Sequence, residues 1–358
     1  MRAFFWPTLV YAFVLLLHLG VPARWVTGYV RDGGTGEKLR YRLNGLRVLL
    51  AVMLAWLLAC AGGVLGWGAF YEHRWEMAAG ACALGLVFTL AIVLPFPAVP
   101  GKTIWEDLYL GRLENPQWGG GMLDAKMVLY LVGAIMLELN VLSFTAHHFL
   151  LHRDDPSPGV FLYAVLFTFF VAEYLNFEEV HLYTYDFMAE RVGFKLGWGC
   201  LVFYPFFYCV GLWATAEAPN PHRSIGWLAV CVALFFSGWI LSRGANLQKF
   251  QFKQNPNTKA FGILDPRTLS DGRKNVLTGG FWGLSRHINY LGEILMASGL
   301  TLSLGYPFAF APWLYPLYYV ALLFPRQAAD DKRCAERYGA LWDEYCRRVP
   351  YRIIPYLY

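Results

Sequence analysis

A polar and aromatic stretch near the end of the sequence carries residues that can hold a charged cofactor. It occupies residues 280–293 and reads GFWGLSRHINYLGE. Its glycines allow close backbone approach, and Trp282 offers a flat face on which a ring can stack. His287, Asn289 and Tyr290 then bring polar groups to the start of an apolar helix. A belt of aromatic and basic residues at a membrane interface is the alternative, but the density of polar groups favours a binding site.

Charged residues at helical spacing flank this stretch on both sides. Lys249 and Lys253 are four residues apart and share one face if the helix that begins near residue 224 continues past the membrane. Several phosphates need several cationic donors, so the pair predicts a phosphate clamp. The alternative is a basic flank that snorkels to lipid phosphates. Arg326 and Asp330 are also four apart, at the end of an apolar run, where both can face a cavity.

A second stretch, residues 174–187, places ionisable side chains at or near membrane depth. It reads YLNFEEVHLYTYDF, and its titratable members include Glu178, Glu179, His181, Tyr183, Tyr185 and Asp186. Ionisable groups within a membrane are costly and usually functional. The alternative is a structural role, in which these groups tie two membrane segments together.

The composition around these stretches indicates a membrane protein. The chain has 358 residues, of which 57% are hydrophobic and 15% charged, whereas a soluble domain carries about a quarter charged residues. Seven cysteines show no CxxC spacing, which argues against disulfides and against a zinc site. His148 and His152 in HHFLLH have the spacing of metal ligands on a helix, but a single such box is too little for a di-iron centre.

Long apolar runs predict an all-α, polytopic membrane protein with about nine to ten transmembrane helices. Basic residues are concentrated in alternate connecting segments and in the tail, which predicts a cytoplasmic C-terminus. We expect residues 1–175 to be a transmembrane scaffold and residues 176–358 to be the catalytic half, with the cofactor and substrate pockets. The predicted crossings lie near 4–21, 46–66, 77–98, 127–150, 159–175, 195–215, 224–242, 290–305 and 309–324.

Ordered motifs resemble those of the sterol reductase family, which contains the sterol carbon-14 reductases, the lamin B receptor, 7-dehydrocholesterol reductase and the sterol carbon-24 reductases. As a set these motifs are highly specific, and they span most of the chain. The matching segments are LRYRLNGLR (39–47), GRLENPQWG (111–119), RGANLQKFQF (243–252), TGGFWGLSRHINYLGE (278–293), YGALWDEY (338–345) and DEYCRRVPYRIIPYLY (343–358).

The resemblance implies NADPH as hydride donor and a sterol carbon–carbon double bond as substrate. The delta-14 bond is the predicted position, and the delta-7 and delta-24 bonds are alternatives. In PRQAADD (325–331), Pro325, Gln327 and Ala329 depart from the family pattern, and Arg326 and Asp330 match it. Carried over to matching positions, the predicted cofactor-binding residues are Lys249, Lys253, Trp282, His287, Asn289, Tyr290, Arg326 and Asp330, with Tyr345 also at a matching position.

The implied reaction also needs a proton donor, because an isolated alkene does not accept hydride directly. Such a donor is an acid with a tuned pKa in a dry pocket. The segment around Glu178 and Glu179 is similar to the family's segment near the sterol pocket. We therefore predict the catalytic acid and its relay among Glu178, Glu179, Asp186, Tyr183 and Tyr345.

Three other classes of protein share single features with this sequence. A membrane isoprenylcysteine methyltransferase that uses S-adenosylmethionine has a related Arg-His segment, a metal oxidase would explain the histidine box, and a non-enzymatic scaffold is compatible with the lamin B receptor. The ordered motifs upstream of residue 250 favour the reductase. The expected partners are a sterol and membrane lipids, with neither a metal ion nor a nucleic acid, and the sequence leaves the oligomeric state open.

Overall fold

The computed structural model describes residues 2–358, which are mostly helical. The chain divides into two compact units, Met1–Asn220 and Pro221–Tyr358. The first unit begins with a 3-10 turn, Arg2–Phe5, and contains a π-helical turn, Gly199–Phe203. Its α-helices are α1 (Trp6–Gly20), α2 (Gly45–Ala61), α3 (Ala69–Glu72), α4 (Arg74–Val93), α5 (Ile104–Leu110), α6 (Ala125–Leu151), α7 (Pro158–Asn176), α8 (Glu178–His181), α9 (Tyr185–Ala189), α10 (Phe194–Trp198), α11 (Tyr204–Phe207) and α12 (Val210–Thr215).

The second unit is built on a long helix pair. Its helices are α13 (Ile225–Gln254), α14 (Ile288–Ser303), α15 (Phe310–Tyr338) and α16 (Ala340–Arg348), with a 3-10 turn at Gly280–Gly283. Ser224 begins α13 by accepting a hydrogen bond from the Trp227 backbone N–H. A Cβ on Gly292 would lie 2.5 Å from the Gly238 carbonyl oxygen. Only glycine therefore allows α13 and α14 to approach this closely.

The structure supports a membrane protein by helix length and hydropathy. Within residues 2–358, six helical stretches are long and apolar enough to cross a membrane. Each of the nine predicted apolar segments overlaps a helix, although α2 is shorter than these six. The number of crossings beyond six stays a prediction. The six are Arg2–Gly20, Arg74–Val93, Ala125–Leu151, Pro158–Asn176, Phe194–Thr215 and Ile225–Gln254.

Two-stranded hairpins supplement the predicted all-helical fold. In residues 2–358 they pair β1 (Arg24–Arg31) with β2 (Lys38–Leu43), β3 (Gln117–Trp118) with β4 (Leu123–Asp124), and β5 (Thr268–Ser270) with β6 (Asn275–Leu277), all antiparallel. The first hairpin also ends α1, because the Arg42 guanidinium donates to the carbonyls of His18, Leu19 and Val21. Carbonyl groups at the end of a helix have no hydrogen-bond partner within the helix, so they need donors from elsewhere.

Lys126 organises the segment that contains the predicted acidic residues. The predicted crossing near 127–150 leaves Lys126 in the preceding connecting segment, but its side chain is fully buried at the start of α6. Its ammonium group donates to the main-chain carbonyls of Asp186, Phe187 and Glu190 at 2.9, 3.2 and 2.7 Å. A buried ammonium needs this number of acceptors, and the bonds fix α9 against α6.

Candidate active site

A small, partly open cavity lies in the first unit, among α6, α7, α8 and α9. It is mostly apolar and aromatic, and two buried side chains, Glu178 and His181, bring titratable groups to its wall. An apolar pocket with a few convergent polar groups is the usual form of a small-molecule site. The lining residues are Met127, Tyr130, Leu131, Tyr174, Leu175, Glu178, His181 and Phe187.

Glu178 is held against the first residue of α2. The Gly45 backbone N–H donates to Glu178 Oε2 at 2.9 Å. A Cβ at position 45 would lie 2.6 Å from Glu178 Oε1, so glycine is required for this approach. Burial raises the pKa of the Glu178 carboxyl to about 7, against the lowering effects of the Gly45 and Asn44 amides and of Arg24. A substantial fraction of this carboxyl therefore carries a proton at neutral pH.

The other acidic candidates have different surroundings. Glu179 forms an ion pair with Arg24 at 2.7 Å, and its side chain is 24% exposed. Asp186 is half-buried, and its carbonyl oxygen accepts the bond from Lys126. Of the carboxyl groups of Glu178, Glu179 and Asp186, all within residues 2–358, that of Glu178 lines the cavity.

Tyr183 is packed against the first hairpin. Its ring lies 5.6 Å from that of Tyr29 on β1, and burial raises the pKa of its hydroxyl. A tyrosine phenol is already protonated at neutral pH, and the raised pKa favours that form further.

His181 is a cavity residue that the sequence analysis did not assign to the site. Its ring stacks on Tyr174 at 3.9 Å between centroids, and Nε2 lies 3.0 Å from the Tyr174 carbonyl oxygen. Because a carbonyl only accepts, Nε2 carries the proton in this bond. Its spacing could have assigned it to the site, because His181 follows Glu178 by three residues, which is about one helical turn.

In the second unit, Trp282 is held by bonds at both of its ends. Its indole N–H donates to the Ala245 carbonyl at 2.9 Å, and its own carbonyl accepts from the Tyr345 hydroxyl at 2.7 Å. Lys249 Nζ lies 5.6 Å from the ring centroid. Helix α13 does continue to Gln254, which places Lys249 and Lys253 on one face, as predicted. These contacts join Trp282 and Lys249 to Tyr345.

Gln248 shapes the turn before Trp282 and was not predicted. Its side chain is 1% exposed. The amide group donates to the Gly279 carbonyl and accepts from the Phe281 N–H, both at 3.0 Å. These two bonds fix the glycine turn against α13. A glutamine directly before the predicted Lys249 gives no local signal of such a long-range role.

His287 lies between two acids of α15. Its Nε2 donates to Asp331 Oδ1 at 3.0 Å, while Nδ1 lies 4.0 Å from Asp330 Oδ2. The ring stacks on Tyr290 at 5.1 Å. Asp331 also accepts from Arg286 at 3.3 Å, so it contacts both basic residues of the Arg-His pair.

Asp331 was missed by sequence analysis, which selected Asp330. A third donor to it is Gln327 Nε2, at 2.5 Å. Burial opposes ionisation of Asp331, but the hydrogen bond from His287 and the charges of His287 and Arg286 hold its pKa below the usual value. Gln327 is one of the three departures from the family pattern, and here it supports the acid that orients His287.

The side-chain amide of Asn289 shows whether the second unit fits a dinucleotide cofactor. Its Nδ2 donates to Asn246 at 3.3 Å. Its Oδ1 is buried and accepts no hydrogen bond within residues 2–358. A buried acceptor of this kind needs a donor, and a nicotinamide dinucleotide carries amide and ribose hydroxyl donors.

The cationic side chains of this unit fit the phosphates of the same group. Lys253 lies within electrostatic range of Lys249 and Arg337, with Asp330 as the nearby acid. Arg326 is half-buried on α15, one turn before Asp330. Lys249 and Arg337 both repel Lys253, which favours an anionic ligand beside it. The residues present therefore fit a phosphorylated dinucleotide.

The histidine box has a structural role at the end of α6. His148 Nδ1 lies 2.9 Å from the Ala216 carbonyl, and its Nε2 accepts from the Ser157 N–H. His152 Nε2 lies 3.2 Å from the Glu217 carbonyl. Both rings therefore join α6 to neighbouring main chain.

Comparison with known proteins identifies the family of this chain. A sequence model of the ergosterol biosynthesis ERG4/ERG24 family matches residues 2–358. The chain is 31% identical to the delta(14)-sterol reductase of Arabidopsis thaliana, over 98% of this chain and 95% of that protein. It is 34% identical to the delta(14)-sterol reductase TM7SF2 of Mus musculus, over 90% and 78%. With the delta(14)-sterol reductase of Methylotuvimicrobium alcaliphilum, identity is 32% over 90% and 76%. The chain belongs to the ERG4/ERG24 family of ergosterol biosynthesis.

Proposed function

We propose that this protein is an NADPH-dependent sterol reductase that saturates the delta-14 double bond in sterol biosynthesis. The observation that carries the proposal is the buried carboxyl of Glu178 on an apolar cavity, in a chain whose relatives are named delta(14)-sterol reductases. Reduction of an isolated alkene needs both a proton and a hydride. The chain offers a candidate group for the first and a candidate binding site for the second.

Glu178 is the best candidate for the proton donor. It must hold a proton at neutral pH and deliver it to a carbon atom, a very weak base, in the absence of competing water. Its burial meets the first requirement, and the apolar wall around it meets the second. Glu179 is paired with Arg24 and partly exposed, so it is better suited to holding the first hairpin in place.

The second unit supplies the cofactor residues in this proposal. When bound, NADPH supplies the hydride. Lys249, Lys253 and Arg326 offer positive charge to phosphates, and Trp282 offers a face for a ring. The acceptor Oδ1 of Asn289 fits an amide or hydroxyl donor. Tyr345 donates to the Trp282 carbonyl, and we assign it to positioning Trp282.

The remaining elements of the proposal concern topology. We propose that the chain crosses the membrane nine or ten times, with the C-terminus and the cofactor residues on the cytoplasmic side, where NADPH is available. Residues 1–175 then act as the scaffold and residues 176–358 as the catalytic half. The alternation of basic connecting segments supports this orientation.

The decisive experiment presents purified protein in lipid nanodiscs with sterols unsaturated at carbon 14, 7 or 24, and with NADPH or NADH. Gas chromatography with mass spectrometry would measure the products. We expect turnover of the delta-14 sterol with NADPH. Glu178→Gln should lower kcat by about 10²–10⁴-fold, the usual contribution of a general acid, with unchanged NADPH titration. Glu179→Gln is the matched control and should retain most of the rate. Equal rates in wild type and E178Q would refute the assignment.

A further inference from the structure

We propose that His181 is the group that returns a proton to Glu178 after each turnover. This inference rests on the proposed function and adds a catalytic residue to it. Sterol reduction consumes one proton per turnover, so a buried acid that has lost its proton must regain it. Glu178 is 6% exposed, and a second titratable group on the same cavity would give its carboxylate a route to a proton.

His181 is in a position to exchange a proton with Glu178. It lies three residues after Glu178 in α8, it is 7% exposed, and both side chains line one cavity. Imidazole is a common proton shuttle, because its neutral ring accepts a proton and its charged ring releases one.

The tautomer of His181 determines which ring nitrogen exchanges. Nε2 donates to the Tyr174 carbonyl at 3.0 Å, and the ring is fixed by stacking on Tyr174. The proton that His181 gains and loses is therefore the one on Nδ1. In the charged imidazolium both nitrogens carry hydrogen, which leaves the bond to Tyr174 intact in both states.

The proton that the reaction consumes passes from water through His181 to Glu178 and then to the alkene. Glu178 gives its carboxyl proton to an alkene carbon, a C–H bond forms, and a carboxylate remains. The imidazolium of His181 gives its Nδ1 proton to that carboxylate and becomes neutral. Water then re-protonates Nδ1, releasing hydroxide to the solvent. Hydride for the other alkene carbon comes from the reduced nicotinamide of the proposed function.

Other charged groups surround this pair and set its pH response. Arg24 and Glu179 are paired with each other, so they add little net charge. Glu173 on α7 is buried, and Asp186 on α9 is half-buried. The titratable and charged groups on the elements around α8 include Arg24, Tyr29, Arg31, Arg47, Lys126, Tyr130, Glu138, Glu173, Tyr174, Glu179, Tyr183, Tyr185 and Asp186.

The test compares His181→Gln and His181→Ala with His73→Gln. Glutamine keeps a donor for the Tyr174 carbonyl but cannot titrate. His73 is a half-exposed histidine between α3 and α4 that forms no part of the proposed site. Full-length proteins in nanodiscs would be assayed with the delta-14 sterol and NADPH. The readouts are kcat against pH, the solvent deuterium isotope effect, NADPH titration and the thermal unfolding midpoint.

If His181 is the proton relay, its variants should differ from wild type in a defined way. His181→Gln should lower kcat by about 10–100-fold and increase the solvent isotope effect, with unchanged NADPH titration and unfolding midpoint. Added imidazole should restore a large part of the rate in His181→Ala, because the truncation leaves room in the cavity. His73→Gln should behave as wild type.

Two outcomes would overturn the relay alone. One is a wild-type rate and pH profile in His181→Gln. The other is a loss of rate with a lowered unfolding midpoint and no rescue of His181→Ala by imidazole, which would give His181 a structural role. Absence of sterol reduction in the wild-type protein would overturn the proposed function itself, and so the failures of the two proposals are distinguishable.

Discussion

Replacing Gly45 with alanine tests whether the placement of Glu178 supports the reaction. The new Cβ would lie 2.6 Å from Glu178 Oε1 and 2.8 Å from its Cδ. Ordinary van der Waals contact begins near 3.4 Å, so the carboxyl must move by about 0.8 Å. A shift of this size stretches or breaks the 2.9 Å bond from the Gly45 N–H, which is worth about 1–3 kcal/mol for a charged or buried partner.

The expected loss in rate follows from that displacement. Misplacement of a reacting group by about 1 Å costs roughly 10²-fold, so Gly45→Ala should lower kcat by about 10–100-fold. NADPH titration should not change, because the substitution lies in the first unit. Turnover would be followed by gas chromatography, and folding by thermal unfolding in detergent. Gly20→Ala is the matched control, since a Cβ there meets nothing within 4 Å.

A double-mutant cycle separates the carboxyl from its neighbours. Leu175 Cδ2 would lie 3.0 Å from the same Cβ, so part of the strain at Gly45 comes from that side chain. In a Glu178→Ala background, Gly45→Ala should destabilise the fold less than in wild type, because the larger clash is gone. A wild-type rate in a well-folded Gly45→Ala protein would refute the assignment of Glu178 as the positioned acid.

Three further predictions address the charged groups. Because burial raises the pKa of Glu178 to about 7 and the protonated form is the competent one, kcat should fall as pH rises above about 7. A flat profile across pH 5–9 would contradict this. Lys249→Gln should weaken NADPH binding by about 5–50-fold, measured by tryptophan fluorescence, whereas the exposed Lys259→Gln should not. Asp331→Asn leaves Arg286 without its carboxylate and should lower stability by about 3–5 kcal/mol. Since the folded pKa of Asp331 is depressed, this contribution is present above about pH 4 and is lost as pH falls through the folded pKa. Thermal unfolding of both proteins at pH 3 and pH 7 would show whether their difference disappears in acid.

Local periodicity made part of the second unit predictable. The four-residue spacing of Lys249 and Lys253 is a property of one helix, and α13 does extend to Gln254. The apolar runs likewise coincide with helices, because hydropathy and length are local features. Such features need no knowledge of which segments pack together.

Local sequence patterns do not predict contacts between segments that are far apart in the chain. Asp331 is 44 residues from His287, and Gln248 is 33 residues from Phe281. No spacing rule connects such pairs, since tertiary packing decides which of two neighbouring acids faces the histidine. The first hairpin was also missed, because its basic residues resemble a membrane flank. Its role depends on Arg42 reaching the end of α1.

Glu178 and Glu179 show why residue type alone does not identify a catalytic acid. Adjacent residues on a helix point about 100° apart, so one of the pair faces the cavity while the other reaches Arg24 near the surface. An ion-paired carboxylate is a poor proton donor, because the neighbouring guanidinium favours its charged form. A buried carboxyl on an apolar wall is favoured in its neutral form, which is the form that protonation of an alkene requires. The same reasoning explains the need for glycine at position 45. Only its backbone N–H can approach a carboxyl this closely without displacing it from the cavity.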